Sequence, residues 1–182
     1  MTRSLFIFKS SRVPLSFLLA GAAPLVAYSQ VFLSEEQAVK VLFPDQKLGK
    51  KLLELTADEE RTVAEKSGQL VRTRVLKAWV GPHKEVVLID EVLGKHEFIT
   101  YAVGFGTDGT IKGVEILVYR EAYGQQVAGE AWRKQFLGKS LASPLKINHD
   151  IKNISGATLS SAHVTAGVKR LLHSFECVRE RI

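Results

Sequence analysis

Hydrophobic positions recur along this 182-residue chain with two different periods, and the change of period organises it. Near the C-terminus, Val164, Val168, Leu171, Leu172, Phe175 and Val178 follow one another at helical spacing. They form one apolar stripe of an amphipathic helix. Lys169, Arg170 and Arg179 are expected on the other faces or at the helix end, where cations suit the helix dipole. Residues 71–120 obey a different rule. Val71–Val80, Glu85–Val92, Glu97–Phe105 and Thr110–Tyr119 are rich in β-branched and aromatic residues, with Gly81-Pro82, Gly94 and Asp108-Gly109 between them. This pattern predicts about four strands in an antiparallel meander.

Two helix starts precede the strands. Ser34-Glu35-Glu36-Gln37 and Thr56-Ala57-Asp58-Glu59 each read as a capping box, a hydroxyl N-cap with a Gln or Glu three residues on. The first helix should run to about Phe43, where Pro44 stops it. The second is short and can end at Gly68. After the strands, Val127–Phe136 reads as a helix with Gly138 beyond it. Residues 140–154 carry Pro144 and two asparagines without a clean period, and read as a loop. The expected fold class is α+β, an antiparallel sheet of about four strands packed with flanking helices.

One motif within the strands points elsewhere. Gly104-Phe105-Gly106-Thr107-Asp108-Gly109 matches the dinucleotide fingerprint G-x-G-x-x-G. That fingerprint requires a helix afterwards, whose N-terminus receives the pyrophosphate. Here Ile111 to Val118 alternate like a strand, so Asp108-Gly109 is read as a hairpin turn and the nucleotide reading is rejected.

Composition changes the picture at the N-terminus. The formal charge is +6, and half of it comes from Arg3, Lys9 and Arg12. These precede the uncharged, mostly apolar Val13–Val26 and the small residues of Ala27-Tyr28-Ser29, which is the order of a secretory signal. Residues 1–29 are therefore expected to be a signal peptide and residues 30–182 a single domain. The rival is an uncleaved anchor; the stretch is shorter than the roughly 20 apolar residues a span needs and contains Pro14 and Pro24. Cys177 is the sole cysteine, which excludes an internal disulfide, cysteine-ligated iron–sulfur clusters and c-type haem attachment. It reads as a small buried hydrophobe. No lysine- and arginine-rich block interleaved with aromatics occurs, so no nucleic-acid partner is expected.

The candidate chemistry lies in Ser155-Gly156-Ala157-Thr158-Leu159-Ser160-Ser161, which holds four hydroxyls and no charge. The stretch is expected on the loop that feeds the last helix. The residues alone leave two readings open. Serine and threonine are preferred N-caps, and a helix start flanked by small residues can also seat an anion on its free N–H groups. A hydrolase using Ser155, Ser160 or Ser161 with His149 or His163 lacks the G-x-S-x-G pentad. His83, His96, His149, His163 and His173 show no metal-ligand spacing such as H-E-x-x-H.

The heptapeptide resembles the attachment motif of FMN-binding domain proteins. These include the small flavin subunits of the sodium-translocating NADH:quinone reductase and of Rnf complexes, and stand-alone exported members. The resemblance extends to Glu36–Pro44, to Val118-Tyr119-Arg120-Glu121 with Tyr123-Gly124, and to Trp132–Lys139. It implies FMN joined covalently to Thr158 through a phosphoester, installed from FAD by a separate flavin transferase. Ser155, Gly156, Ala157, Leu159 and Ser160 would surround the attachment, with Glu121, Tyr123 and Gly124 contributed by the flavin-side loop. An aromatic at position 123 can stack on the isoalloxazine ring or be a core tyrosine at a strand end. The family's usual aspartate six residues before the acceptor is Lys152 here, with Asp150 two residues earlier. Lys152 is a cation for the phosphodiester charge. The implied function is electron transfer between redox partners in the periplasm or at the outer face of the cytoplasmic membrane, not stand-alone catalysis. The alternative is an exported binding module without a cofactor.

Overall fold

The computed structural model describes residues 29–182. The signal segment expected over 1–29 lies outside the described residues except for Ser29. Six strands, β1 (Gln30–Val31), β2 (Gly49–Glu54), β3 (Val75–Val80), β4 (Val86–Leu93), β5 (Phe98–Phe105) and β6 (Ile111–Tyr119), form one antiparallel sheet in the order β1-β6-β5-β4-β3-β2. The α+β class stands, but the sheet has six strands where about four were expected. The meander over β3–β6 is the part that alternation revealed. β2 (GKKLLE) is an edge strand that buries only Leu53, so its lysines hide the alternation, as charged edges do. β1 has two residues, too few for a period.

Both capping boxes form. Ser34 accepts from the Gln37 N–H and opens α1 (Glu35–Leu42); Thr56 accepts from the Glu59 N–H and opens α2 (Ala57–Ser67), which Gly68 closes. The helix expected over 127–136 is broken instead. A 3-10 turn (Gln125–Ala128), a short α3 (Glu130–Arg133) and a second 3-10 turn (Lys134–Phe136) follow one another, because Gly129 has extended backbone (φ −66°, ψ 130°). The fingerprint-like glycines make the β5–β6 hairpin, with the Gly106 N–H on the Thr110 carbonyl. Asp108 accepts from the Thr110 N–H, the Thr110 hydroxyl and Lys112, which pull its carboxyl down to about 2.

The last helix, α4 (Thr158–Val178), spans 21 residues. It begins at Thr158, so Thr158, Ser160 and Ser161 lie in its first turn and not on the preceding loop. Its apolar stripe is buried as expected. α4 and α2 cover one face of the sheet, and α1 covers the other. Cys177 is half-buried against the main core. Among the described residues no helix is long and apolar enough to cross a membrane.

Arg170 departs from its expected place on an outer face. It is buried, with Nη2 on Asp90 Oδ2 at 2.5 Å and on the Glu91 carbonyl at 3.1 Å. Asp90 also accepts from the Tyr101 hydroxyl. The helical period marks where the backbone points, but it cannot reveal that β4 supplies a carboxylate opposite a charged position. The pair joins α4 to the middle of the sheet, and removing one partner leaves the other charge uncompensated. Asp90→Ala is therefore expected to destabilise the domain by about 3 kcal/mol, the lower end for a buried pair, as read by urea unfolding. A loss under about 1 kcal/mol would place the pair among surface bridges.

Candidate functional site

The start of α4 is built from its first residues upward. Ile154 to Ala157 form a turn closed by the Ala157 N–H on the Ile154 carbonyl. Gly156 occupies the third position with φ +83°, a conformation that favours glycine. A Cβ built there meets nothing within 4 Å, so the backbone requires the glycine and the space beside it is open. Ala157 is the N-cap and supplies no side-chain bond. α4 thus begins without the cap that α1 and α2 both possess, and the N–H groups of its first turn stay free of side-chain partners.

Burial sorts the four hydroxyls into two pairs. Ser155 and Thr158 are exposed, whereas Ser160 and Ser161 are buried. The Ser160 Oγ lies 2.8 Å from the Tyr119 hydroxyl, which also bonds the Tyr123 carbonyl. A carbonyl only accepts, so the single Tyr119 proton goes to Tyr123, and Ser160 donates to Tyr119. Burial raises the Tyr119 pKa above its ordinary value; the Ser160 bond opposes the shift and the Glu121 charge adds to it. Ser161 Oγ contacts Asn153 Oδ1 at 2.6 Å, and Asn153 Nδ2 donates to Thr158 Oγ1 at 3.3 Å.

The loop after β6 meets the same turn. Gly124 has φ +95°, and a Cβ there would stand 2.6 Å from both Ser160 Oγ and the Tyr119 hydroxyl. Close approach and backbone conformation both require glycine. Gly124 and Ser160 are therefore brought together, and Thr158 lies in the same first turn of α4, linked through Asn153 to Ser161. Tyr123 is 86% exposed, which overturns its reading as a core tyrosine. Leu159 is also exposed, at 48%, so two apolar side chains face solvent beside the open turn.

Glu121 is used differently. Its Oε1 accepts from the Glu97 and His96 N–H groups at the β4–β5 turn. Burial pushes its pKa up, but the Glu97, His96 and Lys95 N–H groups outweigh this and hold the carboxyl below its ordinary value. Asp150 likewise binds its own loop, accepting from Lys146 N–H at 2.8 Å and pairing with Lys139 at 3.0 Å. Burial pushes its pKa up, but the Lys146 N–H, Lys139 and the Leu145 N–H together outweigh this and hold it below its ordinary value. Lys152 is exposed, with its backbone fixed by Gln135 on one side and Trp132 on the other. His163 is half-buried with Nδ1 unpartnered. Among the described residues neither buried serine has a histidine as hydrogen-bond partner.

Residues 94–173 match the model of the FMN-binding domain. This stretch is similar to the FMN-binding domain family. It contains β5, β6, the Glu121–Gly124 loop and the hydroxyl turn, so every candidate site residue falls inside the match. No curated protein matches the chain. The family match supports FMN as the ligand and a flavin-binding module as the coarse function.

The residues fit such a ligand. A phosphate needs donors and room, which the uncapped first turn and the open side of Gly156 provide. An aromatic ring system needs apolar surface, which Tyr123 and Leu159 present. Sequence reasoning missed Tyr119 and Asn153. Tyr119 reads only as the last residue of a strand, and Asn153 as one more polar loop residue. The one available signal for Asn153 was its closeness to a turn, where asparagine bonds neighbouring backbone groups.

Tyr119→Phe should remove the link between Ser160 and the Tyr123 carbonyl. The expected cost is about 1–2 kcal/mol in unfolding free energy, since two polar atoms lose their partner. Amide exchange over residues 120–126 should quicken more than exchange in β4 or β5. Unchanged exchange in this loop would show that Tyr119 does not hold it.

Proposed function

We propose that residues 30–182 form an exported FMN-binding domain in which the Thr158 hydroxyl carries FMN through a phosphoester. The observation that carries this reading is the placement of Thr158. It is the exposed hydroxyl that opens an uncapped helix inside the family match. Ser160 and Ser161 are buried and committed to Tyr119 and Asn153, so neither is open to an incoming phosphate.

A threonine hydroxyl is a weak nucleophile at neutral pH, so a flavin transferase is required as a maturation partner. The resulting phosphodiester keeps one negative charge. The free N–H groups and dipole of α4 stabilise that charge, and the exposed Lys152 supplies a nearby cation in sequence. Ser155 and Gly156 shape the approach, Ala157 anchors the turn in the core, and Leu159 with Tyr123 supplies the apolar surface for the ring system. Bound flavin takes up and releases electrons singly or in pairs, chemistry that the protein positions and tunes. The domain then passes electrons between redox partners in the periplasm or at the outer face of the cytoplasmic membrane. Export through residues 1–29 gives the covalent link its purpose, because a dissociated cofactor has no FMN pool to be replaced from outside the cytoplasm.

Thr158→Ala should abolish covalent flavin in protein co-expressed with a flavin transferase, with stability changed by no more than about 0.5 kcal/mol, as for other exposed side chains. Mass spectrometry of the peptide spanning residue 158 and in-gel fluorescence after denaturation read the outcome. A flavin mass retained in the variant moves the attachment, with Ser155 as the next exposed hydroxyl. A wild-type protein that stays colourless and unmodified favours the cofactor-free binding module.

A further inference from the structure

The side-chain amide of Asn153 stands between a buried hydroxyl and an exposed one, and its orientation is fixed. Oδ1 accepts from the Ile154 N–H at 2.9 Å and faces Ser161 Oγ at 2.6 Å. A backbone N–H only donates, so flipping the amide would set its NH2 against another donor. Ser161 cannot move away, because it is fully buried in the first turn of α4. With Oδ1 placed by these two contacts, Nδ2 points at Thr158 Oγ1, 3.3 Å away.

We propose that Asn153 is the positioning residue that holds the Thr158 oxygen in the rotamer that receives the flavin phosphate; this rests on Thr158 being the acceptor. Asn153 Nδ2 can only donate, so Thr158 Oγ1 accepts in this contact and keeps its own proton for transfer. In the reaction, an oxygen–phosphorus bond forms between Thr158 Oγ1 and the flavin-side phosphorus of FAD. The phosphorus–oxygen bond to the adenylate breaks, and AMP leaves with that electron pair. The threonine proton ends on the departing phosphate or on a base of the transferase. No group is oxidised or reduced. An unheld threonine at an exposed helix start samples several χ1 rotamers, and holding one of them raises the fraction of encounters that are in line.

The buried side of the arrangement makes this role separable from a structural one. Asn153→Asp keeps oxygen acceptors for the Ile154 N–H and Ser161 but replaces the donor facing Thr158. Asn153→Ala removes both functions. The experiment incubates purified apo-protein with a flavin transferase and FAD and follows covalent flavin on denaturing gels across apo-protein concentrations. Both variants should lower the turnover of flavin transfer by at least about tenfold with little change in KM, the pattern of lost orientation rather than lost docking. Thermal unfolding of Asn153→Asp should stay close to wild type, so a slow rate there cannot be assigned to misfolding. Wild-type turnover in Asn153→Asp, or a raised KM with turnover unchanged, overturns the positioning role while leaving Thr158 as acceptor. Flavin transfer to Thr158→Ala at the wild-type rate overturns the acceptor reading itself, and the role of Asn153 with it.

Discussion

The hydroxyl of Tyr119 is the contact on which the candidate site depends. Sheet register fixes Tyr119, which pairs with Ile99 on β5 and with Gln30 on β1. Tyr119 then fixes the Tyr123 carbonyl on the loop and Ser160 on α4, 41 residues further along the chain. The Tyr123 carbonyl can only accept, so the bonds run in a single direction, from Ser160 through Tyr119 to Tyr123. A rigid sheet therefore sets the position of the first helical turn, and the exposed residues of that turn inherit its precision. Such support by packed and hydrogen-bonded neighbours keeps a binding group in place without being part of the chemistry.

The three longer helices show how differently one sequence can treat a helix start. α1 and α2 both close their first turns with reciprocal capping boxes. α4, longer than either, opens on Ala157, which cannot cap. Hydroxyls are abundant in its first turn, but two of the three there are turned inward to Tyr119 and Asn153. A cap in place of Ala157 would contribute about 1 kcal/mol. Its absence leaves the N–H groups of the first turn without a side-chain partner, and a negative charge held there would recover that stabilisation. The mid-helix pairing of Arg170 with Asp90 holds α4 to the sheet independently of its first turn, so the helix start can be left open without loosening the helix.

Much of this was legible in the sequence, and what was hidden had particular causes. The capping boxes, the β3–β6 meander and the apolar stripe of α4 follow from local patterns that packing reinforces, so expectation and structure coincide. β2 stayed hidden because an edge strand with one buried side chain need not alternate. The helix over 127–136 was overdrawn because Gly129 interrupts it while leaving Trp132 and Phe136 at core positions. At the site, Ser155–Ser161 stood out by composition, yet composition could not divide inward from outward hydroxyls. That division depends on Tyr119 and Asn153, which come from elsewhere in the chain. Tyr123 could be read either way until its exposure was known, because an aromatic at a strand end suits the core and a ligand equally well.

The division of the hydroxyls also bears on why an acceptor would sit on a helix start and not in a free loop. An acceptor must be reached by another protein's active site, so it has to be exposed. It must also present its oxygen in a defined direction, which exposed threonines in mobile loops do not. At Thr158 these demands are met by different partners. Thr158 is exposed, next to a turn at Gly156 where a Cβ would meet nothing within 4 Å. Direction comes from Asn153 and the buried Ser161 beneath it. In the proposed attachment, the same turn would meet the anion's charge with the helix dipole, so one geometry would serve both the reaction and its product. A flexible loop could supply access, but it would lose either orientation before the reaction or charge stabilisation after it.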